Sequence, residues 1–351
     1  MILDVSLKKK MGSFQFNSVF TISGSRVGIF GPSGSGKSTF MHLLAGLLKP
    51  DDGYIKLDGV TLFDSKTRIH VPPEKRRIGV VFQHAQLFPH MNVKQNLFYG
   101  FKRITPSDRR IDPDLLIEVL NLEPLLERQV NRLSGGERQR VALGRTILAC
   151  PKLILMDEPL TGLDLTLKYQ IIPYLKRVLN EFDIPLLFIS HSIEEMRLMT
   201  NGVLVFKNGC FEKCVSAEDL ARQTLASGGN DYANLLTLTE PKAKGDLWRY
   251  TWGNTSVILT EPGLPGDNLF ELSAKDIMLF KRHPEASSAR NLLTCTVREI
   301  FLVGNRVGIE LDCYGNRLIC QIVPDSVKEL DIQPGSDLVA AIKATAFRRI
   351  Y

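Results

Sequence analysis

A glycine-rich stretch near the start of the chain has the clearest chemical meaning. It reads Gly31-Pro32-Ser33-Gly34-Ser35-Gly36-Lys37-Ser38, followed by Thr39, and fits the pattern G-x-x-x-x-G-K-[ST]. Its glycines let backbone N–H groups surround a phosphate, Lys37 can reach the β- and γ-phosphates, and Ser38 can bind Mg²⁺. An apolar run precedes the stretch and apolar residues at helical spacing follow it, so it should join a strand to a helix. The sequence therefore predicts a site for a nucleoside triphosphate.

Polar residues follow three further apolar runs. Asp157 and Glu158 follow one such run, Gln83 follows a second and His191 a third. Apolar strands separated by helical patterns indicate a parallel sheet covered on both faces, and ligands bind at the carboxyl ends of such strands. We expect Asp157 to hold Mg²⁺ and Glu158 to polarise the water that attacks the γ-phosphate. The alternative is a solvated acidic turn.

The segment around residue 134 predicts the start of a helix. Ser134 and Glu137 have the spacing of a capping box, so a helix should run from here to about Ala149. Gly135 and Gly136 occupy its first turn. A capped helix N-terminus with glycines is suited to bind an anion, so this segment predicts a second phosphate contact.

The same segment carries a family resemblance. Leu133-Ser134-Gly135-Gly136-Glu137-Arg138-Gln139 resembles the signature of ATP-binding-cassette ATPases. The resemblance implies ATP as the nucleotide and a homodimer, in which Ser134, Gly135 and Gly136 close on the γ-phosphate held by the partner subunit. It implies that Gln83 is the Q-loop residue, which acts in catalysis and with Ser38 and Asp157 at Mg²⁺. It also implies that His191 is the catalytic switch histidine and that Asp164 contacts nucleotide from the D-loop.

This sequence departs from the common pattern of that family at several positions. Glu137 stands where Gln is commonest, and Thr161-Gly162 replaces the more usual Ser-Ala of the D-loop. Many members stack the adenine on an aromatic residue near positions 8–10, where this chain has lysines. Phe14 and Phe16 are the two alternatives for that contact.

The arrangement of apolar residues predicts two different folds within the chain. Residues 1–230 should form an α/β P-loop nucleotide-binding domain with a parallel-sheet core, an antiparallel β subdomain and a helical subdomain. Within it, Asp58-Gly59 predicts a tight hairpin and residues 112–128 a helix. Beyond about residue 230, period-two alternation between turns predicts an all-β, OB-like barrel. We assign residues 231–285 to a β linker or first part of this regulatory region and 286–351 to the barrel.

The barrel sequence resembles the molybdate-binding module of molybdopterin-type proteins and oxyanion sensors, a Mop- or TOBE-like domain. Segments 287–291, 322–327 and 341–345 carry that resemblance, and residues 73–90 resemble the ATPase of molybdate importers. A tetrahedral dianion requires hydroxyls, N–H groups and one or two cations. The residues that suit this requirement at the two ends of the barrel sequence are Ser288, Arg290, Lys343 and Thr345. The resemblance implies molybdate or tungstate as a regulatory ligand that inhibits the ATPase, and the alternative is a barrel that only stabilises the dimer.

Several functions fit these patterns. The first is the ATPase subunit of a molybdate importer, working as a homodimer on two membrane permease subunits and indirectly with a solute-binding protein. The second is an importer ATPase for sulfate, iron, a polyamine or a sugar, with a structural barrel. The third is a soluble cassette ATPase of translation or DNA repair, and the fourth an oxyanion sensor. A single cassette, with about 100 residues between its phosphate loop and signature, disfavours the third.

Composition limits the remaining possibilities. With 44% hydrophobic and 23% charged residues the chain is an ordinary globular sequence, and no apolar run approaches the roughly 20 residues needed to cross a bilayer. The net charge of +6 is scattered, so we expect no nucleic-acid partner. We expect a peripheral protein at the cytoplasmic face of the cell membrane. In that compartment all six cysteines should be reduced thiols.

Overall fold

The computed structural model describes residues 1–160, 165–227, 232–263 and 268–350. The chain forms two compact units, Met1–Leu220 and Ala221–Tyr351. The first unit holds the nucleotide motifs and the second holds the candidate oxyanion residues. In the described part of the chain, no helix is long and apolar enough to span a membrane.

The core of the first unit is a six-stranded sheet in the order β11-β10-β3-β9-β8-β7. The strands of this unit are β1 (Ile2–Met11), β2 (Phe14–Ser23), β3 (Arg26–Phe30), β4 (Asp52–Leu57), β5 (Val60–Asp64), β6 (Ile69–His70), β7 (Ile78–Val81), β8 (Leu153–Asp157), β9 (Leu186–Ile189), β10 (Gly202–Lys207) and β11 (Cys210–Ser216). Strands β10, β3, β9, β8 and β7 run parallel, while β11 is antiparallel to β10. The predicted parallel sheet is therefore confirmed.

Helices alternate with strands over much of the first unit. They are α1 (Lys37–Ala45), α2 (Val93–Phe101), α3 (Pro113–Val119), α4 (Gly135–Leu148), α5 (Leu165–Glu181), α6 (Ile193–Met199) and α7 (Ala217–Ala226), the last of which continues into the second unit. The predicted helix over residues 112–128 is wrong in its length. It ends at Val119 because Asn121 is left-handed, with φ of 49°, and Pro124 opens only a short 3₁₀ turn.

A second sheet of the first unit, in the order β2-β1-β4-β5-β6, is antiparallel. Asp58 and Gly59 form the two-residue turn between β4 and β5, and both have positive φ, as the sequence predicts. Four phenylalanines (Phe16, Phe20, Phe40 and Phe206) stack together where β2, α1 and β10 meet. This aromatic cluster fixes the helix of the phosphate loop between the two sheets.

The second unit consists of two five-stranded sheets in the orders β14-β13-β12-β15-β21 and β16-β20-β17-β18-β19. Its elements are β12 (Ala233–Lys244), β13 (Leu247–Trp252), β14 (Thr255–Leu259), β15 (Asn268–Ser273), β16 (Ile277–Phe280), β17 (Asn291–Val303), β18 (Arg306–Cys313), β19 (Asn316–Ile322), α8 (Pro324–Glu329), β20 (Asp337–Ile342) and β21 (Phe347–Arg349). One hydrophobic core includes buried residues of both sheets, which is consistent with the predicted all-β fold.

The two sheets of the second unit exchange strands. Strand β16 follows β15 in sequence but pairs with β20 in the other sheet. Strand β21, at the end of the chain, pairs with β15 in the first sheet. Two buried asparagines also join the sheets, through side-chain hydrogen bonds to backbone groups. Asn234 hydrogen-bonds the backbone of Ile319 at 2.7 and 2.8 Å, and Asn291 bonds that of Ile258 at 2.6 and 2.8 Å. Strands from residues 231–285 therefore share a core with those from 286–351.

One cysteine prediction is wrong. Cys295 and Cys313, expected as reduced thiols, form a disulfide across β17 and β18, with their Cα atoms 4.4 Å apart. The pairing of Thr296 with Asp312 in this hairpin places the two cysteines opposite each other, where both are buried. The sequence alone shows no such register. Cys150, Cys210, Cys214 and Cys320 are free thiols.

Candidate functional site

The phosphate loop connects β3 to α1, as its sequence predicts. The Lys37 ammonium donates to the carbonyl oxygens of Gly31 and Pro32, at 2.8 and 2.9 Å. The Ser35 hydroxyl is buried and has no hydrogen-bond partner among the residues that the structure describes. Gly36 caps α1 with φ of 99°, a conformation that favours glycine. A buried lysine and an unpaired hydroxyl on a helix N-terminus fit the phosphates of a nucleotide.

A buried arginine supports the other end of α1. Arg76, which is 2% exposed, donates from Nη1 to the carbonyls of Leu43 and Leu44 at 2.9 and 2.7 Å, and from Nε to Val71 at 2.8 Å. The cation therefore lies at the negative end of the helix dipole. Burial lowers the pKa of Arg76 to about 10. The sequence analysis did not identify this contact.

The structure brings together Ser38 and Asp157, the two residues predicted to bind Mg²⁺. The Ser38 hydroxyl donates to the Asp157 carboxylate at the end of β8. Burial raises the pKa of Asp157, an effect that the bond from Ser38 opposes. Burial also lowers the pKa of Lys37, and the nearby carboxylates of Glu158 and Asp157 oppose that change. A hydroxyl beside a carboxylate is an oxygen donor set that suits Mg²⁺.

Glu158 lies between the two other residues assigned to catalysis. Its Oε2 accepts from Gln83 Nε2 at 3.3 Å, and its Oε1 lies 2.8 Å from His191 Nε2. Gln83 follows β7, and His191 follows β9 by two residues, so the parallel sheet places both beside the end of β8. The carboxylate itself is 19% exposed. This arrangement can orient a water molecule and accept its proton.

The signature segment forms the capped helix start that its sequence predicts. The Ser134 hydroxyl accepts from the Glu137 N–H at 3.2 Å, and the Glu137 carboxylate accepts from the Ser134 N–H at 2.7 Å. This bond from the Ser134 backbone holds the pKa of Glu137 below its usual value. Gly135 has open space where a side chain would begin. The first turn of α4 can therefore approach a phosphate closely.

Two other nucleotide contacts have different outcomes. Asp164 and Thr161-Gly162 of the D-loop lie outside the described residues, so the role of Asp164 stays a prediction. Phe16 is 1% exposed and is stacked with Phe40 and Phe206, which leaves no free face for adenine. Phe14 is half-buried, and its ring lies beside Gly36. Of the two aromatic alternatives, Phe14 is the accessible one.

The loop after Gln83 is held by residues that the sequence analysis missed. Asn96 of α2 is fully buried, and its side chain bonds both the N–H and the carbonyl of Phe88. The Phe88 ring packs on Tyr99, with ring centroids 4.4 Å apart, and the Arg145 guanidinium lies over the Phe88 ring, 4.9 Å from its centroid. The capping box of Asn92 at the start of α2 is the signal that predicts this helix.

The four candidate oxyanion residues lie at one end of the sheet that contains β17 and β20. Asn291, the first residue of β17, pairs with Ile342, the last residue of β20, so Arg290 and Lys343 lie next to this pair in sequence, just outside the two strands. Ser288 lies two residues before Arg290, and Thr345 lies two residues after Lys343. All four side chains are exposed. The register therefore places the two cationic residues at the same end of this strand pair, although they come from opposite ends of the barrel sequence.

Comparisons with known proteins agree with these features. The ABC transporter family model matches residues 17–161, and the TOBE domain model matches residues 287–348. A protein of Rhizobium etli called molybdenum import ATP-binding protein ModC is 38% identical over 99% of both chains. This chain belongs to the ModC family of ABC transporter ATPases. ModC proteins of Rhizobium johnstonii (37% identical over 99% of both chains) and Azotobacter vinelandii (ModC 1, 37% over 91% of this chain and 90% of its own) are also similar.

Solved structures support the cassette fold of this ModC family member. The cbiO1 protein of Clostridium perfringens, part of the transporter complex cbiONQ, has a TM-score of 0.54 and 26% identity. The alignment covers 64% of this chain and 93% of cbiO1. The ATP-binding cassette MJ0796, a dimer bound to ADP and Pi, has a TM-score of 0.51 and 29% identity over 62% of this chain and 99% of its own.

Proposed function

We propose that this chain hydrolyses ATP to drive import of molybdate or tungstate through a membrane permease. The observation that carries the proposal is its similarity to molybdenum import ATP-binding proteins over 99% of its length. The placement of Glu158 between Gln83 and His191 supports hydrolysis as the reaction. Neither molybdate nor tungstate is favoured over the other by any residue of the chain.

The residues divide the reaction between binding and proton transfer. Lys37, freed from the carbonyls of Gly31 and Pro32, would neutralise charge on the β- and γ-phosphates. Ser38 and Asp157, with Gln83 as a further ligand, would hold Mg²⁺, which would stabilise the negative charge on the phosphate oxygens. Glu158 takes the proton of the attacking water, and His191 holds its carboxylate in place.

A homodimer completes the nucleotide site in this proposal. The capped start of α4, with Ser134, Gly135 and Gly136, would close on the γ-phosphate bound to the other chain. The dimeric structure of MJ0796 with ADP and Pi supports an assembly of this kind. Each of the two sites would then use the phosphate loop of one chain and the signature of its partner.

The permease contact belongs to the loop after Gln83. Leu87, Phe88, Pro89 and Met91 are apolar and partly exposed. Because Asn96 and Tyr99 fix Phe88, this loop offers a preformed surface to a short permease helix. The chain would thereby lie at the cytoplasmic face of the membrane, on two permease subunits that receive molybdate from a solute-binding protein. Crosslinkers attached at positions 88 and 90 should reach the permease, whereas one at exposed Glu118 should not.

The second unit would regulate import. An oxyanion would be bound by Ser288, Arg290, Lys343 and Thr345. It inhibits hydrolysis if it binds more tightly to a conformation with separated cassettes, since an anion that binds both conformations equally does not shift the equilibrium between them. Sulfate is smaller and would leave some of these donors unpaired. High internal molybdate would thus stop further import.

An uptake assay tests the proposal as a whole. Proteoliposomes would contain this chain and the permease subunits that co-purify with it, with ATP enclosed on the cassette side. We expect uptake of radioactive molybdate and tungstate to exceed uptake of sulfate, and the Glu158→Gln variant to abolish uptake. Equal or faster uptake of sulfate, iron or a sugar would assign the chain to another solute.

A further inference from the structure

A buried carboxylate lies next to the switch histidine and has no role in the site described above. Glu195, in the first turn of α6, is 6% exposed. Its Oε2 accepts a hydrogen bond from the Ser190 hydroxyl at 2.5 Å, and its Oε1 accepts from the Lys168 ammonium of α5 at 2.8 Å. Both carboxylate oxygens are therefore paired, as a buried charge requires.

These contacts enclose the backbone of His191. Ser190 precedes the histidine and donates to the Glu195 carboxylate, while Ser192 follows it and accepts from the Glu195 N–H at 3.2 Å. The Ser192 N–H in turn donates to the Ser190 hydroxyl at 3.0 Å. The residues on both sides of His191 are thus hydrogen-bonded to one residue. Such a closed ring limits the directions in which the imidazole can point.

We propose that Glu195 is a positioning residue that holds His191 against Glu158, with Lys168 as its charge partner. The imidazole is 47% exposed, so packing alone does not fix it, yet its Nε2 lies 2.8 Å from Glu158. Lys168 belongs to the helix that begins at Leu165, so the ion pair also ties α5 to the turn that carries His191. Displacing a catalytic group by about 1 Å can reduce a rate by about 10²-fold.

The test measures kcat and KM for ATP in the full-length protein. Glu195→Gln removes the charge that Lys168 pairs with, while an amide can still accept from Ser190. We expect kcat to fall about tenfold and KM to change less than twofold, because the phosphate loop is untouched. Glu218→Gln is the matched control. It removes an ion pair of the same 2.8 Å length that Glu218 of α7 makes to Arg197, a residue of the same helix as Glu195. Its kcat should equal that of the parent.

A double-mutant cycle separates positioning from general stability. If Glu195 acts through the imidazole, Glu195→Gln should cause no further loss of kcat in a His191→Ala background. An additive loss, or a parent kcat in folded Glu195→Gln, would overturn the proposal. Should Glu195→Gln fail to fold, Ser190→Ala removes only the bridging hydroxyl, and the same cycle with His191→Ala decides the question. The inference rests on ATP hydrolysis by this chain, which parental activity and its loss in Glu158→Gln check independently.

Discussion

The phosphate-loop end of the first unit and the oxyanion end of the second are organised to different degrees. At the first, the side chains already contact one another, with Glu158 between Gln83 and His191 and Ser38 bonded to Asp157. At the second, Arg290 and Lys343 lie just outside the Asn291–Ile342 pair that ends β17 and β20, and both side chains are exposed. Among the described residues, neither of these two cations forms a hydrogen bond or an ion pair.

This difference fits the two roles that we propose, because a catalytic site and a regulatory anion site would use binding energy differently. A catalytic site benefits from groups held in place before the substrate arrives, because reorganisation would raise the barrier. A regulatory anion site can leave its cations solvated and order them only when the ligand binds, which makes the ligand itself the source of the conformational change. Four predictions test this contrast.

The largest effect is expected at Glu158. Glu158→Gln should lower ATP hydrolysis by roughly 10²-fold or more, because an amide cannot accept the proton of the attacking water. Binding of ATP should be retained, and an ATP-bound dimer should accumulate. Steady-state hydrolysis and size-exclusion chromatography with ATP measure the two results. A variant with nearly parental hydrolysis would remove Glu158 from the role of base.

A second prediction concerns the part of this site that one chain does not supply. Ser134→Arg should abolish hydrolysis, on the order of 10²-fold, because the arginine fills the first turn of α4 where the partner's phosphate would bind. Nucleotide binding at Lys37 should remain. A mixture of Ser134→Arg with Lys37→Ala can restore at most one composite site in a mixed dimer. Full activity in a monomeric preparation would contradict the shared site.

The third prediction concerns the oxyanion end. Replacing both Arg290 and Lys343 by alanine should weaken molybdate inhibition of the ATPase by about 10- to 100-fold, since two charge-assisted bonds are lost. Hydrolysis without molybdate should stay at the parental rate. The matched control replaces exposed Lys242 and Lys244 of β12 by alanine, which removes two cations elsewhere in the same unit. If the parent protein neither binds molybdate nor is inhibited by it, the barrel has a structural role.

The smallest effect is expected at the signature helix. Glu137→Ala should lower the free energy of unfolding of the first unit by about 0.5–1 kcal/mol, because the Ser134 N–H loses its acceptor. The depressed pKa of Glu137 means that its contribution is present above the unfolded pKa and is lost as the pH falls through the lower folded value. Urea unfolding at several pH values measures this dependence. Glu137→Gln keeps a hydrogen-bond acceptor, so it should retain most of the stability but lose that pH dependence. If Glu137→Gln retains the pH dependence, another group must cause it.

Much of the nucleotide site could be predicted because its signals are local. The phosphate loop, the capping box at Ser134 and the polar residues after apolar strands each depend on a few neighbouring residues, and a parallel sheet necessarily brings the ends of its strands to one edge. One wrong prediction has a local cause as well. The helix after residue 112 stops at a left-handed Asn121, a conformation that leucine spacing does not reveal.

The sequence by itself determined the fold class of both halves and the reaction, and it located the residues that we propose bind phosphate. Tertiary structure decided what depends on contacts between distant segments. These are the burial of Arg76 against α1, the loss of Phe16 to the core, the Cys295–Cys313 pair and the exchange of β16 and β21 between sheets. Residue type and spacing encode local geometry, whereas the register of strands far apart in sequence is set by the packing of the whole unit.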